Sequence, residues 1–163
     1  MKIYIIGPPG SGKTTLARML AQKYNTTAYE LDCLVYDDNN NHIKRTDEVI
    51  MQLFDEILNK DSWIIEDVGR KKFNKGLIYC NKIYYLKINK FRVYIRGIKR
   101  WIRQRLGKEK YNYPPTFLAV FDMLRIIKKY FKNEREKLKI LEEYPEKLIY
   151  LKNKDLQVLH KTK

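Results

Sequence analysis

Apolar residues along the chain follow two spacings. Short dense runs at Tyr4-Ile5-Ile6, Thr26–Leu31, Ser62–Glu66, Lys82–Ile88 and Leu148–Leu151 read as strands. Ser62–Glu66 is nearly continuous in apolar residues, as a strand buried on both faces should be. Between these runs the spacing becomes helical. Leu16, Ala17, Leu20 and Ala21 give a first helix an inner face. Val49, Ile50, Leu53, Phe54, Ile57 and Leu58 give a second. Phe91, Ile95, Ile98 and Ile102 form one stripe of a third. A last stripe runs through Phe117, Val120, Phe121, Leu124, Ile127 and Phe131, with Leu138 and Leu141 extending it as one long helix or two; Lys128 and Lys129 fall outside it and should face water. Strand–helix units in this order predict a parallel α/β sandwich whose right-handed crossovers cover both faces of the sheet.

Punctuation agrees with this division. The first helix should end near Tyr24-Asn25, Thr46 is suited to cap the second, and Thr116 the last. Tyr144-Pro145 should terminate the last helical region. Residues 36–45 read as a polar loop in which His42 is exposed. Lys71 to Asn81 reads as a short basic connection without clear period, and residues 154–160 as a final helical turn or two. Gly107 and the pair Pro114-Pro115 interrupt the chain after the third helix, so residues 104–116 are expected to act as a small lid within a single domain spanning 1–163.

The first strand runs into Gly7-Pro8-Pro9-Gly10-Ser11-Gly12-Lys13-Thr14, and Thr15 continues into the first helix. This is the phosphate-loop (Walker A) spacing in the context it requires, after a strand and opening a helix. Gly10 and Gly12 let the backbone curl until its N–H groups point inward. The helix starting near Lys13 adds unpaired amides and its positive dipole end. The Lys13 ammonium can reach the β and γ phosphates, and the Thr14 hydroxyl can ligate Mg²⁺. Gly7 to Thr15 are therefore the candidate cofactor-binding residues, with ATP and Mg²⁺ as cofactors.

Other candidates lie at strand tips, where open parallel sheets bind ligands. Asp32 ends the second strand and is a candidate to orient an acceptor, the alternative being an Asp that caps a turn. Glu66 and Asp67 end the third; one or both are candidates for the magnesium, with Thr14. Gly69-Arg70 follows, and Arg70 is a candidate acceptor contact. Arg92, Arg96, Arg100 and Arg103 make a second stripe on the third helix, at spacings of four, four and three. Like charges so placed repel unless an anion offsets them, and guanidinium forks match phosphate oxygens. Lys13, Asp32, Arg96, Arg100 and Arg103 form the candidate catalytic set, with Arg92 added in the phosphate clamp.

The net charge of +15 over 163 residues favours anionic partners and leaves nucleic acid open as one of them. Cys33 and Cys80 stand far apart, with no CxxC or Cys/His cluster, so structural zinc is not expected and a reducing cytosol fits. The first strand begins at once, and no apolar stretch approaches 18 residues, so neither a signal sequence nor a membrane partner is expected.

Through Gly7–Thr14, Tyr29-Glu30-Leu31-Asp32, Trp63-Ile64-Ile65-Glu66, Lys82 to Leu86 and the arginines from Arg92 to Arg105, the chain resembles the DNA topology modulation (FlaR-related) proteins. These are small P-loop proteins similar to adenylate and shikimate kinases. The resemblance implies a five-stranded parallel sheet in the order 2-3-1-4-5, an acceptor site near Asp32 and a lid supplying arginines. The chain departs from these relatives after the third strand, where Glu66-Asp67-Val68-Gly69-Arg70 displaces the glycine. Two functions follow. One is a kinase passing the γ-phosphoryl group of ATP to a small molecule or nucleotide. The other is a nucleotide-regulated protein that binds DNA or modulates its topology. Thirteen tyrosines without a topoisomerase motif single out no nucleophile.

Overall fold

The computed structural model describes residues 1–37, 43–109, 116–152 and 155. Its elements, in chain order, are β1 (Lys2–Ile6), α1 (Lys13–Tyr24), β2 (Ala28–Glu30), α2 (Leu31–Val35), β3 (Tyr36–Asp37), β4 (Ile43–Lys44), α3 (Asp47–Leu58), β5 (Trp63–Asp67), a 3₁₀ turn (Lys71–Phe73), α4 (Lys75–Tyr79), β6 (Lys82–Leu86), α5 (Lys90–Arg105), α6 (Phe117–Lys132), α7 (Glu134–Leu141) and β7 (Leu148–Leu151). Five strands form one parallel sheet in the order β2-β5-β1-β6-β7, which is the expected 2-3-1-4-5 order once the separate antiparallel pair β3–β4 is set aside.

The alternation of side chains across a strand divides the core. From β1, Tyr4 and Ile6 enter one cluster with Leu31 of α2, Phe54 of α3, Leu77 of α4 and Leu141 of α7. Ile3 and Ile5 enter the other, with Leu16 of α1, Val93 of α5 and Ile127 of α6. All five residues of β5 are buried, because it lies between β1 and β2 and is covered on both faces. The helices therefore sandwich the sheet, and the tips of β1, β2 and β5 come together at one edge.

The helix boundaries follow the sequence signals. Asn25 adopts a left-handed conformation (φ 45°) after α1, and Thr26 N–H donates to Ala21 O, closing the helix in a Schellman turn. Thr46 accepts from Val49 N–H, and Thr116 from Ala119 N–H, as N-caps should. Asn133 separates α6 from α7, so the long apolar stripe belongs to two helices.

Four expectations are corrected. Lys71 to Asn81 is largely helical rather than an irregular connection, because Phe73 and Leu77 anchor its turns in the core. Asp32 lies in the first turn of α2, since the chain turns helical at Leu31, whose side chain drops into the core. The stripe Phe91, Ile95, Ile98 and Ile102 of α5 is exposed; its inner face instead carries Val93 and Gly97. A Cβ on Gly97 would lie 2.8 Å from Met123 Sδ, so the glycine lets α6 approach. Phe117 and Phe121 are likewise exposed, whereas Ile127 is buried. Lys128 and Lys129 face water.

Of the expected lid, residues 110–115 lie outside the described residues, as do His42 with the rest of 38–42, and residues 153–154 and 156–163 of the expected last turns. Gly107 (φ 68°) closes α5: Lys108 N–H donates to Arg103 O and Gly107 N–H to Gln104 O. No described helix is long and apolar enough to cross a membrane.

Candidate functional site

The loop from Gly7 to Gly12 joins the tip of β1 to α1, and it is built to leave donors unpaired. Gly12 is the N-cap of α1 with φ 98° and supplies no side-chain cap, so the first-turn amides of the helix have no capping side chain. Ser11 Oγ is buried and has no hydrogen-bond partner, which marks a polar lining without a protein counterpart. Such a cradle fits a polyphosphate.

Lys13 is buried at the start of α1. Its ammonium donates to Pro8 O at 3.1 Å and lies 3.8 Å from Glu66 Oε2. Burial pulls its pKa below the ordinary lysine value, against the pull of Glu66 and Asp67. Glu66 is itself held above the usual carboxylate range by burial, with Lys13 and Thr14 opposing. The Thr14 hydroxyl donates to Glu66 Oε1 at 2.6 Å. Thr14 and Glu66 are thus the oxygen pair available to a divalent cation beside the loop.

Asp67 faces elsewhere. Its carboxylate is fully buried and receives Arg70 twice, from the backbone N–H at 2.5 Å and from Nη1 at 2.6 Å. Arg70 then reaches across to Asp32, so one guanidinium bridges the β5 tip and the first turn of α2. The Asp32 carboxylate is 68% exposed. Its partner in this structure is Arg70.

The arginine stripe is only partly brought to the loop. Arg96 Nη1 donates to Ser11 O at 3.3 Å. Arg100 and Arg103 turn toward Glu109, at 3.0 and 4.0 Å, so a carboxylate on the chain itself offsets part of the crowded charge. Arg92 is exposed near the start of α5.

A cavity of about 410 Å³ opens beside the loop, between the β5 tip and α6–α7. Ile6, Pro9, Gly69, Arg70, Tyr130 and Lys137 are among its walls. Gly69 takes φ 77°, and a Cβ there would sit 3.2 Å from Lys137 Cδ, so the glycine makes room for the lysine stem. Sequence reasoning missed Lys137. It lies in a run of alternating charges on α7, and only the packing of α7 over the β5 tip distinguishes it from its neighbours.

A phosphate loop on the central strand of a parallel sheet, backed by a buried lysine and an acidic β5 tip, is the arrangement of a P-loop nucleoside triphosphate hydrolase or kinase fold. The chain belongs to the AAA domain family, whose model matches residues 3–113. No curated protein matches it. Among solved structures it is similar to a shikimate kinase from Bacteroides thetaiotaomicron (TM-score 0.57, 17% identity, covering 85% of this chain and 82% of that one). A gluconokinase from Sinorhizobium meliloti 1021 is also similar (TM-score 0.52, 14% identity, covering 93% and 81%). So is a sugar kinase from Janibacter sp. HTCC2649 (TM-score 0.54, 20% identity, covering 98% and 90%). At these identities the likeness is one of fold.

Proposed function

We propose that this protein is an ATP- and Mg²⁺-dependent kinase that phosphorylates a hydroxyl group of a small molecule. The observation that carries the reading is the convergence, on one sheet edge, of the phosphate loop with Lys13, the Thr14–Glu66 pair and the Asp32–Arg70 pair. ATP supplies the phosphoryl group, which passes to the acceptor oxygen as the hydroxyl proton leaves, with ADP as the other product.

The chain's own groups divide the work. Loop amides of Gly7 to Thr15 hold the phosphates, and Lys13 balances charge on them. Thr14 and Glu66 would hold the metal, a reading supported by their contact with each other and by the pairing of Asp67 with Arg70. Asp32, held by Arg70, orients the acceptor hydroxyl in line with the γ phosphate. Arg96, already against the loop backbone, is the leading member of the clamp; Arg100 and Arg103 join it only by leaving Glu109. The kinase names among the similar folds support phosphoryl transfer to a hydroxyl compound.

Isothermal titration with ATP–Mg²⁺ tests the first step, and ADP release across a metabolite panel tests the second. Micromolar binding that is lost in Lys13→Ala supports the site. Folded protein that binds no ATP, or binds equally well without Lys13, overturns it.

A second reading, the DNA-topology role suggested by the sequence resemblance, draws on the exposed basic residues of α5, which contains no acidic residue. It expects duplex DNA binding that weakens steeply with salt and responds to ATP. Weak binding at physiological salt, indifferent to ATP, removes it.

A further inference from the structure

The cavity between the β5 tip and α6–α7 has cationic groups that its own acids do not balance. Arg70 is paired with Asp32 and Asp67, and Lys71 with Glu136 at 2.6 Å. Nearby surface lysines also find carboxylates: Lys72 meets Asp47 and Lys75 meets Asp55. Lys137 differs. Its ammonium is half-buried in the cavity wall, donates to Val68 O at 2.5 Å and lies 4.1 Å from the centre of the Tyr130 ring. A backbone carbonyl and an aromatic face hold the head group in place without neutralising it. Lys129 adds a second positive charge at the rim.

Among the described residues Lys137 has no carboxylate within ion-pair distance; Asp67 and Glu134 act on it only from farther off. Partial burial of such a cation is costly, and an incoming anion relieves that cost. The geometry also selects size. About 410 Å³ admits a small metabolite. One flank carries Ile6, Val68, Ile126 and Leu141, so the ligand has an apolar side as well. Pro9 of the phosphate loop and Arg70 of the acceptor pair line the same space, so a molecule anchored at Lys137 has its other end near the phosphoryl donor.

We propose that the α6–α7 cavity is the acceptor site of the kinase and takes a small anionic hydroxyl compound, whose carboxylate or phosphate monoester is held by Lys137. This rests on the kinase reading above and adds the chemical class of its substrate. Lys137 is a specificity residue: it holds the end of the acceptor remote from the reacting oxygen. Removing it should raise the acceptor KM much more than it lowers kcat, and should leave ATP binding unchanged.

Three matched probes separate charge from shape: glycerol, glycerate and glycerol 3-phosphate. Each is titrated into ¹⁵N-labelled full-length protein, wild type and the Lys137→Met and Lys137→Arg variants. ATP–Mg²⁺ is titrated in parallel samples. The expected result is saturable shifts of the Gly69 and Asn133 amides with one or both anions and none with glycerol. The variant K137M should weaken anion binding at least tenfold, and K137R should retain most of it. A response to glycerate alone assigns a carboxylate, and a response to glycerol 3-phosphate alone assigns a phosphate monoester. The proposal is overturned if glycerol shifts the same amides as strongly, if neither anion does, or if K137M binds as wild type while its spectrum shows it folded. Shifts of the Gly10 and Gly12 amides with ATP–Mg²⁺ report on the kinase reading separately. Nucleotide binding without anion binding removes this inference and leaves that reading. Anion binding without nucleotide binding overturns the kinase reading and with it the acceptor role, leaving only an anion site at Lys137.

Discussion

The Thr14 hydroxyl donates to Glu66 Oε1 at 2.6 Å, joining the first turn of α1 to the interior of the β5 tip. Because β5 lies directly beside β1, the acid nearest the phosphate loop comes from β5, while Asp32, beyond β2, stands farther out. The two carboxylates should therefore fail differently. Glu66→Gln is expected to weaken the magnesium-dependent part of ATP binding about tenfold, or ~1.4 kcal/mol. Asp32→Asn should preserve ATP affinity and lower phosphoryl transfer by about 10²-fold or more. Titrations with and without Mg²⁺, paired with turnover on the acceptor, check both. If magnesium dependence is lost in Asp32→Asn and kept in Glu66→Gln, the roles are reversed.

Arg70 gives a prediction about stability. Its partner Asp67 has a side chain 0% exposed, so Arg70→Ala leaves a buried carboxylate with the backbone N–H of residue 70 but without its guanidinium. The expected loss is about 3–5 kcal/mol by urea denaturation. Adding Asp67→Asn should recover a good part of it, because the stranded charge is gone. Asp32→Asn removes the other partner, but that carboxylate is 68% exposed, and the loss should stay below about 1 kcal/mol. Equal losses in Arg70→Ala and Asp32→Asn would falsify the account of Asp67 as the dependent charge.

What could be read beforehand was whatever local physics dictates. The loop from Gly7 to Thr14 requires its glycines and lysine in fixed order, and Asn25, Thr46 and Thr116 act on their own turns. Apolar density revealed β5, because a strand covered on both faces must be apolar throughout. The failures share a cause. Helical spacing locates a stripe on α5 but does not say which stripe faces inward; Gly97 and Val93 do, because Met123 and Ile127 of α6 need the room. The arginine stripe looked unbalanced because Glu109, which offsets two of its members, lies beyond the helix end. Lys137 reaches the β5 tip across 69 residues of sequence, and no local pattern encodes that contact.

The approach of α4 to β1 depends on one missing side chain. A Cβ on Gly76 would lie 2.5 Å from Tyr4 Cε2 and 3.1 Å from Phe54 Cζ, both in the packed core. Alanine gains helix propensity of under about 1 kcal/mol, whereas overpacking costs about 1–3 kcal/mol. Gly76→Ala should therefore destabilise the protein. In a Tyr4→Leu background, where the ring is absent, the same change should cost less. An unchanged denaturation midpoint for Gly76→Ala would show that the core absorbs the methyl group.

The pH profile of anion binding provides the sharpest test of Lys137. Burial lowers its pKa to about 8; Asp67 of β5 and Glu134 of its own helix oppose the shift, while Arg70 and Lys13 reinforce it. Tyr130 of α6 presents its ring face, 4.1 Å from the ammonium. Below pH 8 the ammonium is charged and attracts an anion. Above it, the free protein must take up a proton before binding, so affinity should fall by up to about tenfold per pH unit. Glycerate is the suitable probe, because its carboxylate stays ionised throughout this range. Lys137→Arg provides the control, since a guanidinium remains charged and its profile should be flat. Titrations at pH values from about 7 to about 9.5 compare the two. A wild-type profile as flat as that of the arginine variant would mean that Lys137 does not carry the charge the anion feels.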